Sequence, residues 1–196
     1  MLDRHGDVFL SATADDGHEL RFLVSSKVLA LASDVFSTLL GPCFREGQQL
    51  AQATACVLID VPLPEDDPNG LRILLSVLHH RPSPLQVEFD ELVALACLVD
   101  KYQCEHVFRV YSSGWMEQLI YKQGFSPQLP EFLGIAIAFR NLEMYTAILR
   151  GLALTTGQPW NASMVLEQVK RTAIAVLVPD DICRKLQTLC AHCSAY

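Results

Sequence analysis

The chain has 196 residues, 51% of them apolar and only 19% charged, with a formal charge of −7. That hydrophobicity excludes a disordered chain and calls for a large core. The 15 Lys and Arg residues form no run, so nothing gathers the cations that a nucleic-acid backbone or an anionic membrane surface requires, and neither partner is expected.

Residues 1–7, Met-Leu-Asp-Arg-His-Gly-Asp, hold no apolar signal core. The apolar runs are broken by charges well short of the ~20 residues that span a bilayer. An intracellular protein of cytoplasm or nucleus is expected, with no membrane span. The seven cysteines are irregularly spaced, and Cys43, Cys56, Cys97 and Cys104 lie in or beside apolar stretches. Free buried thiols in a reducing compartment account for that pattern.

Asp7-Val8-Phe9-Leu10-Ser11-Ala12 alternates as a strand, with Val8, Leu10 and Ala12 on one side and Phe9, Ser11 and Thr13 on the other. Residues 19–24 alternate too, and Leu20, Phe22 and Val24 share a face. The turn Asp15-Asp16-Gly17 between them predicts a hairpin. Two short helices follow. Ser25 or Ser26 stands where a hydroxyl caps the first, and Ser33 caps the second, which carries Val35, Phe36, Leu39 and Leu40 before Gly41-Pro42 stops it. Residues 43–55 are weakly patterned and read as a loop.

Val57-Leu58-Ile59-Asp60-Val61 is a third strand, ended by Pro62 and Pro64. Asp67 followed by Pro68 predicts a helix start, and Leu71, Leu74, Leu75 and Leu78 form its stripe. Arg81-Pro82-Ser83-Pro84 breaks that helix, and Leu85-Gln86-Val87 fits a short strand. From Asp90 to Tyr102 apolar residues surround a helix, which places it in the centre of a core. A further helix over 105–122 is patterned by Val107, Val110, Tyr111, Trp115 and Leu119. Gly124 to Pro130 marks a boundary. Beyond it Leu129, Phe132, Leu133 and Ala136 make one helical stripe, and Leu142, Tyr145, Leu149 and Leu152 another, after a turn at Asn141. Ser163 is placed to cap a helix through Leu177, and Pro179-Asp180 opens a last one. Trp115, Tyr111, Phe132, Phe139 and Tyr145 are expected to pack in the core.

Strand, strand, helix pair, strand, helix, helix pair is similar to the element order of the BTB/POZ fold. The opening Asp7-Val8, then Phe22-Leu23-Val24, Val28-Leu29-Ala30, Ser33 and Phe36, resembles that family's core signature. Val57-Leu58-Ile59 resembles its third strand, and Leu92, Leu95-Ala96 and Lys101-Tyr102 its Leu-Ala-x-x-Tyr helix. The resemblance covers residues 6–123, with residues 124–196 similar to the helical extensions that often follow. It implies an α+β fold: a small BTB/POZ-like sheet flanked by helices, followed by an all-α extension. It also implies a protein–protein interaction module that works by self-association or as an adaptor or scaffold. The alternative within the family is a substrate adaptor on a cullin scaffold in a ubiquitin ligase.

Departures from the family pattern bear on both readings. In the transcription-factor type a basic residue, where Ser26 stands here, lines a charged pocket with the strand Asp, here Asp7. Many members have His at Ser25. Ser26 cannot supply that charge, although Lys27 adjoins it. Only six residues precede Asp7, so an exchanged N-terminal arm is not expected. The apolar excess still predicts a homodimer. Cullin-binding members often carry an apolar-x-Glu element after the leucine-striped helix, and His79-His80-Arg81-Pro82-Ser83-Pro84 has no Glu.

Chemistry is sparse. Cys190-Ala-His-Cys193, with Cys183 upstream and His192 inside, has thiols spaced for zinc but lacks a second ligand pair of finger spacing. His79 and His80 point about 100° apart on a helix and do not share an ion easily; a helix C-terminus favours their imidazolium form. No Gly-rich phosphate loop, His-Glu-x-x-His or Gly-x-Ser-x-Gly occurs. The acidic trio Glu65-Asp66-Asp67 reads as a solvated loop. No catalytic residue, cofactor or metal is assigned, and a zinc or thiol enzyme is the third class. Lys27, Asp34, Thr38, Arg72, His79, His80 and Arg81 are the candidate contacts for a protein partner.

Overall fold

A computed structural model describes residues 2–14, 16–53, 58–82, 84, 86–123 and 129–155. The hairpin residue Asp15, Cys56 and Val57, the boundary residues 124–128, the two expected helices after Ser163 and the Cys183, Cys190, His192, Cys193 group lie outside the described residues. The chain divides into two compact units, Met1–Phe108 and Arg109–Tyr196. The fold is α+β, a small mixed sheet of three strands flanked by helices and followed by a helical region.

In the first unit β1 (Val8–Thr13) is the middle strand, antiparallel to β2 (Glu19–Val24) and parallel to β3 (Ile59–Pro62). Register places Leu10 between Phe22 and Val61, so the alternation read from sequence becomes one buried face. On the opposite face Arg21 crosses above the Phe9 ring, 4.6 Å from its centroid, to pair with Asp60 at 2.8 Å. Pro62 is tolerated because β3 is an edge strand, where a missing N–H breaks no central ladder.

Helix α1 (Ser26–Ala32) is capped from outside itself. Neither Ser25 nor Ser26 supplies the capping oxygen; the Asp7 carboxylate accepts from the Ser26 N–H at 2.7 Å and from its hydroxyl at 2.6 Å. For α2 (Asp34–Leu39) the expected cap forms, with Ser33 Oγ accepting from the Phe36 N–H at 3.0 Å. The expected loop at 43–55 contains α3 (Arg45–Gln52) instead. Its Arg, Glu, Gln, Leu and Ala are good helix formers, but the segment is polar overall and only Gly47 is buried, so no apolar stripe marks it in the sequence. Gly47 is required there, since a Cβ would stand 1.9 Å from the Gly41 carbonyl oxygen.

Helix α4 (Pro68–Leu78) begins at the expected cap, Asp67 accepting from the Gly70 N–H at 2.6 Å. It packs on α1, β1, β2 and on α5 (Phe89–Lys101), and Ile73, Leu74, Leu75 and Val77 are all buried. The central helix is therefore α4. The sequence assigns that place to α5, whose Val93 and Cys97 are in fact only half-buried. Gln86 and Val87 join no strand, so the short strand expected there is absent from the described residues.

The division between units falls within α6 (Glu105–Gln123). In the second unit Ser112, Trp115, Met116 and Leu119 form the buried stripe of that helix, whereas Val110 is 85% exposed and Tyr111 stacks on Trp115 from the solvent side. Trp115 and Leu119 are thus buried as expected, and Val110 and Tyr111 are not. Helix α7 (Leu129–Ala138) buries Phe132, Leu133 and Ala136 as expected. Helix α8 (Leu142–Thr155) buries Met144 and Ile148 rather than Leu142, which is exposed, and Tyr145 is half-buried. The turn at Asn141 is a polar hinge post. Its Oδ1 accepts from the Met144 N–H at 3.1 Å while Nδ2 donates to Ser112 and Ser113 at 3.0 and 2.8 Å.

Candidate functional site

A groove of about 520 Å³ runs along the first unit. One wall is α2, which presents Val35, Thr38 and Leu39; the opposite wall is the segment after β3, with Leu63, Pro64 and Glu65. Phe44, 46% exposed, forms the lip, placed there by the turn at Gly41-Pro42. The end of α5 closes the groove with Lys101, Tyr102 and Gln103.

A buried network sets this shape. Asp66 is 3% exposed and accepts from the Tyr102 hydroxyl and, at 2.6 Å, from Lys101 Nζ. The Tyr102 ring stacks on Phe36, with centroids 4.1 Å apart and planes 8° from parallel. The Ser33 hydroxyl donates to the Tyr102 carbonyl. Burial, then the hydrogen bond to Asp66, drives the Tyr102 phenol well above its ordinary range, so it stays protonated. The acidic trio is therefore three different things. Glu65 stands on the rim, Asp66 is a buried anchor and Asp67 is a helix cap, which corrects the solvated-loop expectation.

Lys101 is held by Asp66, Thr38 donates to the Asp34 carbonyl at 2.8 Å, and Asp34 and Glu65 stand exposed on the rim. Elsewhere in the unit, burial followed by Glu105 pushes the Cys104 thiol up to about 12, and burial followed by Asp100 raises that of Cys97, so neither supplies a thiolate. Among the described residues no group of three or more His, Cys, Asp or Glu is arranged to hold a metal ion. A second depression, in the other unit, is polar and mixed in sign, with Arg109, Glu143 and Arg150 around the Asn141 cap. No helix of the described residues is long and apolar enough to cross a membrane.

Of the residues proposed from sequence, Asp34 and Thr38 line the groove. Lys27 is exposed on α1 outside it. Arg72 pairs with Glu91 across α4 and α5 at 3.5 Å. The remaining three lie at the end of α4. His80 is exposed, Arg81 Nε donates to the Leu2 carbonyl, and His79 is half-buried. The imidazolium expected for the histidine pair does not hold for His79. Burial outweighs the helix terminus and lowers its pKa, and its ring accepts from the Ser25 N–H. Sequence reasoning missed Phe44, Leu63 and Pro64. The signal was present in Gly41-Pro42 and Pro62-Leu63-Pro64, whose breaks turn two segments toward each other.

Compared with known proteins, the chain matches no family model and no curated protein.

Proposed function

We propose that this chain is a protein-recognition module, acting as an adaptor or scaffold, and that it docks its partner in the groove between α2 and the segment after β3. One observation carries the reading: a large aromatic side chain, Phe44, stands nearly half exposed on the lip of a groove with an apolar floor. The resemblance of residues 6–123 to BTB/POZ domains supports the same class. The groove admits one or two apolar side chains of a partner, while a stable interface covers on the order of 1,600 Å² in total, so contact extends over α2 and the α5 end.

Phe44→Asp tests this. Its capture of partner, measured against wild type after circular dichroism shows the same fold, is expected to drop at least about tenfold, the loss of ~1.4 kcal/mol of binding. Arg72→Ala, outside the groove lining, is expected to bind as wild type. Equal capture by Phe44→Asp and wild type ends the groove reading. A cullin-ligase adaptor is the narrower reading, and retention of a purified cullin N-terminal domain at micromolar protein separates it from a scaffold with no ligase link.

Self-association is favoured by a different observation: Leu31 on α1 is 87% exposed. Light scattering after size exclusion is expected to show a dimer that Leu31→Glu converts to monomer. A wild-type monomer at high concentration leaves Leu31 to a heterologous partner.

A further inference from the structure

His79, one residue beyond α4, has both ring nitrogens committed. Nδ1 lies 2.9 Å from the Leu75 carbonyl, which only accepts, so Nδ1 carries the proton. Nε2 lies 3.0 Å from the Ser25 backbone N–H, which only donates, so Nε2 offers its lone pair. Only the neutral imidazole satisfies both.

Two neighbouring clips converge here. Arg81 Nε donates to the Leu2 carbonyl, and the Leu23 carbonyl accepts the N–H groups of Leu2 and Asp3 at 3.2 and 3.0 Å. We infer that His79 is a proton-operated latch, which in its neutral form fastens the end of α4 to the start of α1 and, once protonated, releases Ser25 and loosens the segment Leu2–Gly6. Protonation turns Nε2 into a donor facing a donor and sets a cation beside the Arg81 guanidinium that holds Leu2.

The charges acting on the ring come from each neighbouring element. Asp3 in the N-terminal segment favours the protonated ring, as does the Leu75 carbonyl; Arg81 and His80 oppose it, and burial opposes it most. On the sheet side the Asp7 carboxylate is engaged by Ser26. The latch therefore opens below the ordinary histidine value of 6.5.

The test is an NMR titration of the full chain from pH 7.5 to 5, following the His79 ring and the exchange of the Ser25, Leu2 and Asp3 amides, corrected for intrinsic rates. The ring is expected to titrate below 6.5, with Ser25 protection falling by up to about tenfold per pH unit between 6.5 and the ring's own midpoint and levelling off below it. His79→Gln, whose amide oxygen reaches the Ser25 N–H and does not titrate, is expected to keep Ser25 protected throughout. A ring titrating at 6.5 or above, or a Ser25 amide indifferent to the ring's protonation, overturns the latch. Both are read on the wild-type chain, so the outcome does not depend on the variant folding.

Discussion

Asp66 ties the segment after β3 to the end of α5 with a single buried carboxylate. Removing it leaves the buried Tyr102 hydroxyl without its acceptor and Lys101 without its counter-ion. Asp66→Ala is therefore expected to cost about 3 kcal/mol and Tyr102→Phe about 1–2, read from urea unfolding midpoints. The two losses should not add, because both delete the same hydrogen bond. The same contact makes an alkaline prediction. Tyr102 keeps its proton in the folded state above the ordinary tyrosine value of 10.0, whereas the unfolded chain releases it. The folded state then binds more protons, so stability falls as pH rises past about 10. Tyr102→Phe is expected to flatten that loss. His79 has the opposite sign. Its folded-state pKa is lowered, so the stability it contributes is present above 6.5 and is lost as pH falls below it. None of this is legible from residue type, because an Asp in an acidic trio and a His at a helix end look solvated until burial is known.

Among the elements, three helices end in one way. His80, Gln103 and Arg140 adopt φ of 51°, 50° and 48°, and the following residue's N–H closes on the carbonyl five residues back, Arg81 on Ser76, Cys104 on Val99 and Asn141 on Ala136. A side chain in this left-handed region costs roughly 1 kcal/mol, which glycine avoids. Gln103→Gly is expected to raise stability by up to about 1 kcal/mol in thermal unfolding. Gly47→Ala is expected to lower it by about 2 kcal/mol or to shift α3 bodily, since its methyl meets the Gly41 backbone rather than a side chain that can turn away. The strands, the Ser33 and Asp67 caps and the α4 stripe were readable, because alternation and capping are local. The α3 helix and the exposure of Val110 on α6 and of Leu142 on α8 were not. Which face of a weakly amphipathic helix is buried depends on what packs against it, as exposed Val110 and buried Ser112 show.

For the whole molecule, Cys104 offers a probe of the first unit's cooperativity. It is fully buried, with its thiol held protonated, whereas Cys43 is exposed. Thiol labelling followed by peptide mapping is expected to modify Cys43 in the native protein at once and Cys104 only at the rate of unfolding, accelerated by Asp66→Ala. Fast labelling of Cys104 in native protein contradicts that. The α+β class and the run of β1, β2, α1, α2, β3, α4 and α5, α3 apart, were written into the chain, because period-two and period-3.6 patterns record which residues meet water. The groove was not, since Phe44, Leu63 and Tyr102 lie far apart in sequence, the first in a stretch that reads as a loop, the second between two prolines and the third at the end of a helix. Three-dimensional packing alone brings them to one surface and buries Asp66 beneath it, because burial is a property of what surrounds a side chain and not of the side chain itself.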